Sequence, residues 1–206
     1  MPFTVPLPRS PFDGGTARWY EHELGWAAVA GPPVQLVTGL RFDVLEMPAA
    51  AGRGVLRRMG ADTGPVALMG RRMRLLVAAG SAEELPGLLE WLEWGGITLD
   101  LAALGADGRM AAPVPPGWSR SGSPGAPVWL RPPEPGREVE SSLPALRPAV
   151  RGRAVGEGAG APCLARLVAA AAAECHRVRL LSTARSHPRG ADQATRQPAP
   201  QRLASS

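Results

Sequence analysis

The stretch Ile97-Thr98-Leu99-Asp100-Leu101 places one carboxylate among apolar residues, and two glycines follow it within eight positions. This pattern predicts a strand over 97–101, a glycine-hinged return, and a second strand over 109–112. Upstream, Arg41-Phe42-Asp43-Val44-Leu45-Glu46 has the same character and predicts another strand that carries acidic residues. Carboxylates on two strands of one domain are a frequent basis for metal-dependent phosphoryl-transfer sites.

Helix and strand signals are interleaved along the rest of the chain. Thr16 is predicted to cap the first helix, and Ser81, followed by two glutamates, is predicted to cap the third. The order lacks regular βαβ repetition, so it predicts an α+β fold with a mixed sheet flanked by helices. The further predicted strands are 26–30, 34–37, 42–45, 66–69, 73–78 and 128–130, and the predicted helices are 16–24, 49–59 and 82–94.

Proline and glycine content divides the chain into five predicted parts. Dense prolines predict an extended arm at the start, and an aperiodic stretch rich in Pro, Gly, Glu and Arg predicts a linker. An alanine-rich helix follows, and its apolar side is expected to pack either on the domain or on a partner. The predicted parts are arm 1–15, domain 16–133, linker 134–162, C-terminal helix 163–181 and disordered tail 182–206.

Composition narrows the function classes. The chain has 206 residues, of which 45% are hydrophobic, which is enough for one core. All 23 basic residues are arginine, a bias typical of a GC-rich genome, and the net charge of +5 permits contact with phosphates. Two cysteines suit neither a metal quartet nor a disulfide framework. No apolar run reaches membrane-spanning length and no secretory signal is present, so a cytoplasmic protein without membrane contact is expected.

A set of segments, taken in order, resembles the N-terminal domain of bifunctional DNA primase/polymerases, most closely the short stand-alone versions found in actinobacteria. The similarity covers roughly residues 17–133, and the order of the segments is more specific than any one of them. The segments are Gly39-Leu40-Arg41-Phe42-Asp43-Val44-Leu45-Glu46, Gly64-Pro65-Val66-Ala67, Gly70-Arg71-Arg72-Met73-Arg74-Leu75-Leu76-Val77, Glu84-Leu85-Pro86, Leu99-Asp100-Leu101 and Ala112-Pro113-Val114-Pro115.

The resemblance implies a fold related to the archaeo-eukaryotic primases, with DNA and nucleotides as partners. In that family two acidic residues on one strand and a third on a later strand hold Mg²⁺ or Mn²⁺, and a histidine contacts the nucleotide phosphates. Carried over to this chain, the candidate catalytic residues are Asp43, Glu46 and Asp100, with Asp43 and Asp100 as metal ligands. The metals would activate the primer hydroxyl and stabilise the pyrophosphate that leaves.

The chain departs from this pattern at two positions. Asp43 and Glu46 are three residues apart, whereas acids on one face of a strand need an even spacing. Met73 stands where the family has its histidine, and a methionine cannot donate a hydrogen bond to phosphate. Its neighbours Arg72 and Arg74 point the other way in a regular strand. Together with Arg71 they are the candidate residues for binding nucleotide or nucleic-acid phosphates.

Three functional hypotheses follow from the sequence. The first is a primase/polymerase-like domain with a degenerate active site that retains nucleotide or nucleic-acid binding. The second is a non-enzymatic interaction protein whose helix 163–181 docks a partner. The third is an active DNA-dependent primase or polymerase. Convergence of Asp43 or Glu46 with Asp100 would favour metal binding, and carboxylates on opposite faces would remove it. Trp91 and Trp94 are predicted to pack in the core.

Overall fold

A computed structural model describes residues 11–118, 124–136, 139–146 and 163–186. These residues form an α+β fold, as predicted. The helices are α1 Pro11–Glu23, α2 Ala49–Met59, α3 Ser81–Trp91 and α4 Leu164–Ser186, with a short 3₁₀ helix at Val139–Ser142. The strands are β1 Ala28–Val29, β2 Gln35–Val37, β3 Phe42–Pro48, β4 Val66–Met69, β5 Arg72–Ala78, β6 Ala102–Leu104, β7 Arg109–Ala111 and β8 Val128–Arg131.

The strands form two sheets within the described residues. The larger sheet has five strands in the order β6-β3-β5-β4-β8, and the smaller has three in the order β1-β2-β7. All of these pairs are antiparallel, whereas a mixed sheet was predicted. The β4–β5 pair is antiparallel because its two strands are joined by a tight turn at Gly70-Arg71 and need no crossover.

Successive side chains of the central strands point to opposite faces of the sheet, and this alternation divides the protein into three layers. In β3, Leu45 and Met47 face one side and pack with α2, α3 and α4. Phe42 and Val44 face the other side and pack with α1 and the smaller sheet. The five-stranded sheet is therefore the middle layer, with apolar residues on both faces.

The layer opposite the three helices is tied to the sheet by an aromatic cluster. Tyr20, Trp26 and Phe42 are almost fully buried there. The Tyr20 hydroxyl donates to the carbonyl oxygen of Pro113 at 2.9 Å and accepts a hydrogen bond from Trp129 Nε1 at 2.8 Å. These bonds join α1 to β8 and to the chain after β7.

Helix α4 packs on the domain, which settles one open alternative. It extends to Ser186, five residues beyond the predicted end. Its apolar side is buried against the other two helices of its layer, through Leu164, Leu167, Val168, Ala171 and Cys175. Docking of a partner on α4 stays a prediction, restricted to exposed residues such as Leu180 and Leu181. In the described part of the chain, no helix has the length and apolarity needed to cross a membrane.

The prediction of a strand over 97–101 is wrong. Those residues form a loop, and β6 begins only at Ala102, where the chain meets β3. Two side chains of α4 hold the loop through its backbone carbonyls. Cys175 Sγ donates to the carbonyl oxygen of Asp100 at 3.5 Å, and Arg179 donates to the carbonyl oxygen of Thr98. Asp100 therefore lies before the sheet edge and not within a strand.

Two predicted helix starts also differ. Helix α1 begins at Pro11, so residues 11–15 of the predicted arm are helical and Thr16 is not its cap. A proline is compatible with the first turn of a helix because its missing N–H has no partner there. At α3 the cap position is Gly80, which makes no side-chain capping bond, and Ser81 is the first residue of the helix. Residues 1–10 of the arm lie outside the described residues.

Part of the predicted linker belongs to the core. Val139 and Leu143 are buried beside Phe42 and Leu76, and the Ala78 N–H donates to the Pro144 carbonyl at 3.0 Å. The apolar residues of this segment are too sparse to show a periodicity in the sequence, which explains why the segment was predicted to be a linker. Residues 137–138 and 147–162 of the linker, and 187–206 of the predicted tail, lie outside the described residues.

Candidate phosphate-binding and acidic sites

Four of the six predicted site residues meet at one end of the middle sheet. Glu46 Oε1 accepts from Arg72 Nε at 3.0 Å, and Oε2 accepts from Arg74 Nε at 2.7 Å. Arg72 Nη1 also donates to Asp100 Oδ1 at 2.7 Å. We call Glu46, Arg72, Arg74 and Asp100 the sheet ion-pair cluster. Strand register creates it, because Glu46 lies directly opposite Arg74 and diagonal to Arg72.

Charge within the sheet ion-pair cluster is balanced. The side chains of Arg74 and Glu46 are only 14% and 19% exposed, whereas Asp100 is 63% exposed. Partial burial lowers the pKa of Arg72, but the hydrogen bonds and charges of Asp100 and Glu46 outweigh it and leave that pKa raised. Two arginines and two carboxylates thus satisfy one another, which leaves little free charge for phosphate.

Asp43 lies on the opposite face of β3 and caps a helix. It is fully buried, and its Oδ2 accepts the backbone N–H of Ala82 at 2.8 Å, in the first turn of α3. Its Oδ1 has no hydrogen-bond partner in the described residues. Burial raises the pKa of Asp43, the nearby Glu83 raises it further, and the Ala82 bond works against both.

The three predicted catalytic carboxylates, which include the two predicted metal ligands Asp43 and Asp100, do not form one site. The three-residue spacing puts Asp43 and Glu46 on opposite faces, as β-strand geometry requires. Asp100 is committed to Arg72, and Met73 is fully buried on the helical side of the sheet. Among the described residues no three His, Cys, Asp or Glu side chains are grouped as a metal site would need. These residues do not fit a pair of Mg²⁺ or Mn²⁺ ions.

A pH experiment tests the position of Asp43. Its raised pKa means that the folded protein keeps this proton to a higher pH than the unfolded chain, so the free energy of unfolding should fall as pH rises from about 3.8. The Asp43→Asn variant should lack this decline. Urea unfolding midpoints measured from pH 3.5 to 7 would show it, with the exposed Asp62→Asn as the control. An unchanged slope in Asp43→Asn would contradict the buried position.

A second group of charged residues lies on the helical layer. Helices α2 and α4 pack against each other, and α2 has no acidic residue. The only carboxylate on α4 is Glu174, which is 3% exposed. Five exposed arginines of these helices, which we call the helical arginine face, are Arg53, Arg57, Arg58, Arg166 and Arg177, whereas the exposed Arg179 donates to the Thr98 carbonyl instead.

Glu174 connects the two helices. Its Oε1 accepts from Arg58 Nε at 2.9 Å, and its Oε2 accepts from Arg177 Nη2 at 2.6 Å. Gly54 permits this contact, because a methyl group there would overlap the Glu174 carboxylate. One buried charge thereby holds two arginine side chains that remain about half exposed.

Helix geometry places the other three arginines on the outward side of this layer. Arg53 and Arg57 each lie two residues, or about 200° around the helix, from the buried Val55. Arg166 and Arg177 are eleven residues apart, about three turns, so they share one side of α4. No ion pair of Arg53, Arg57 or Arg166 occurs within the described parts of the chain. Their charges are available to an anionic ligand.

Sequence reasoning missed the helical arginine face because the arginines were attributed to the bias of a GC-rich genome. Two signals were present. Arg53 and Arg57 have the i, i+4 spacing of one helix side, and the helix that carries them has no acid. Of the predicted phosphate-binding residues, only Arg71 is exposed without an ion pair in the described residues.

Comparison of the chain with models of protein families, with curated proteins and with solved structures found no match. Function is therefore inferred from the contacts, burial and charge of the described side chains.

Proposed function

We propose that the chain is a nucleic-acid-binding domain of primase/polymerase-like type that lacks nucleotidyl transfer. The observation that carries the proposal is the helical arginine face, where two of five exposed arginines pair with one buried carboxylate and the other three have no ion pair in the described residues. The resemblance to primase/polymerases and a cytoplasmic location belong to the same proposal. Nucleic acid is a fitting ligand because its phosphates form a dense row of negative charges.

The chemistry of guanidinium groups supports phosphate recognition at this face. Arginine donates two parallel hydrogen bonds to phosphate oxygens and stays charged at all physiological pH values. Such contacts position a protein on the backbone without reading base sequence. Binding should therefore depend strongly on salt and only weakly on sequence.

The sheet ion-pair cluster supports the absence of catalysis. Two-metal transfer needs carboxylates that converge on one point and are free to ligate. Glu46 and Asp100 are paired with Arg72 and Arg74 instead, and Asp43 serves as a buried helix cap. A fold can keep its architecture while its site loses the original chemistry.

An incorporation assay tests this proposal. The full chain, incubated with labelled nucleotides, Mg²⁺ or Mn²⁺ and a primed or unprimed DNA template, should incorporate no label above background while still binding the template. The Asp100→Ala variant is the control and should give the same background. Incorporation by the wild-type chain that Asp100→Ala abolishes would overturn the proposal and establish an active polymerase.

A further inference from the structure

An acidic apolar groove lies at the C-terminal end of α3. Its volume is about 740 Å³, and apolar side chains such as Leu85, Leu89 and Ile97 line it beside Glu90 and Glu93. Ile97 is 38% exposed. The nearby Trp91, predicted to pack in the core, is instead 72% exposed. This end of α3 thus presents apolar surface and negative charge together.

The charge around the groove is unusual for this chain. Residues 81–104 contain no arginine, although the whole chain carries a net charge of +5. Arg72 neutralises one carboxylate of this stretch, Asp100. The other four acidic residues of the stretch are glutamates, and they form no ion pair in the described residues. The acidic residues of the stretch are Glu83, Glu84, Glu90, Glu93 and Asp100. An occupant of the groove should therefore be basic.

The C-terminal half of helix α4 lies beside this groove. The rings of His176 and Trp94, which lines the groove, are 5.5 Å apart between centroids, and Arg179 donates to the Thr98 carbonyl. Ser186, where α4 ends, lies seven residues after Arg179, or about 10 Å along the helix. The sequence beyond it includes Arg196-Gln197-Pro198-Ala199-Pro200-Gln201-Arg202-Leu203.

We propose that residues 196–203 occupy the α3 groove of the same chain. Arg196 and Arg202 would pair with Glu90 and Glu93, and the proline rings between them would pack on the apolar lining. Proline-rich segments suit such grooves because they lose little conformational entropy on binding. Nine residues lie between Ser186 and Arg196, and the ten residue-to-residue steps can span up to about 33 Å, which is ample for this connection.

Limited proteolysis of the full chain tests the proposal. Trypsin can cleave after Arg189, Arg196 and Arg202, and a synthetic peptide of residues 187–206 reports the intrinsic rates of the three sites. For each substrate, the cleavage rates after Arg196 and Arg202 are divided by the rate after Arg189. In the full chain at low salt, these ratios should be at least about tenfold lower than in the peptide. About 1 M salt should reduce this protection, because charges are screened within about 3 Å there.

Matched variants identify the groove. Glu90→Gln/Glu93→Gln and, separately, Ile97→Ser should lose the protection, whereas Glu83→Gln/Glu84→Gln at the other end of α3 should keep it. Equal relative rates in the full chain and the peptide would overturn the proposal, and so would protection that survives Glu90→Gln/Glu93→Gln. Protection that rises with protein concentration would also overturn it, since that result indicates a second copy as the occupant.

Discussion

Replacing Arg53, Arg57 and Arg166 by glutamine is expected to weaken binding of a labelled single-stranded oligonucleotide by roughly 10- to 1,000-fold at about 50 mM salt. Each arginine that contacts a phosphate releases counterions, so affinity and its salt dependence fall together. Loss of three contacts should reduce the slope of log affinity against log salt by about 2. Fluorescence anisotropy titrations over a range of salt concentrations measure both quantities.

The control for this variant removes the same charge elsewhere. Arg18, Arg71 and Arg109 are exposed and lie on α1, on the β4–β5 turn and at the start of β7. The triple glutamine variant at these positions should retain affinity within about threefold, since long-range attraction is largely screened beyond about 10 Å at 0.1 M salt. Equal losses in the two variants would show that net charge, and not the helical arginine face, determines binding.

The Gly54→Ala substitution is expected to destabilise the protein by about 1–3 kcal/mol. The new methyl group would overlap the buried Glu174 carboxylate, which must then move away from Arg58 and Arg177 or force the helices apart. Alanine is the better helix former, so intrinsic propensity alone predicts the opposite sign. Urea unfolding of the two proteins measures the difference.

Two further variants isolate the cause. Gly87→Ala on α3, where a methyl group meets nothing within 4 Å, should stabilise the protein by about 0.5–1 kcal/mol. In a Glu174→Ala background, Gly54→Ala should lose most of its cost, because the overlapping carboxylate is gone. An undiminished cost in that background would contradict the contact between Gly54 and Glu174.

Local patterns were sufficient to predict the centre of the fold. Helix α2 matches its predicted range, and the hairpin of β4 and β5 differs by one residue. These segments pair with sequence neighbours and have apolar residues at regular spacing. The loop over 97–101 has equally strand-like residues, but contacts from α4, more than 70 residues away, hold it outside the sheet.

The candidate site was predictable only in part. The spacing of Asp43 and Glu46 was sufficient to predict opposite faces. The ion pair of Arg72 with Asp100 depends on how the chain returns to the sheet edge 28 residues later, which no local pattern encodes. Likewise, the helical arginine face exists only because α4 packs beside α2, and that contact crosses a stretch that was predicted to be a linker.

Arginine footprinting of the wild-type chain tests the central claim most directly. Phenylglyoxal modifies exposed arginines, and mass spectrometry measures the extent at each position with and without a bound oligonucleotide. We predict protection of Arg53, Arg57 and Arg166 by the oligonucleotide, with unchanged reaction at Arg71 and Arg109. Protection at Arg71, with no change at Arg53, Arg57 and Arg166, would contradict nucleic-acid binding on the helical layer.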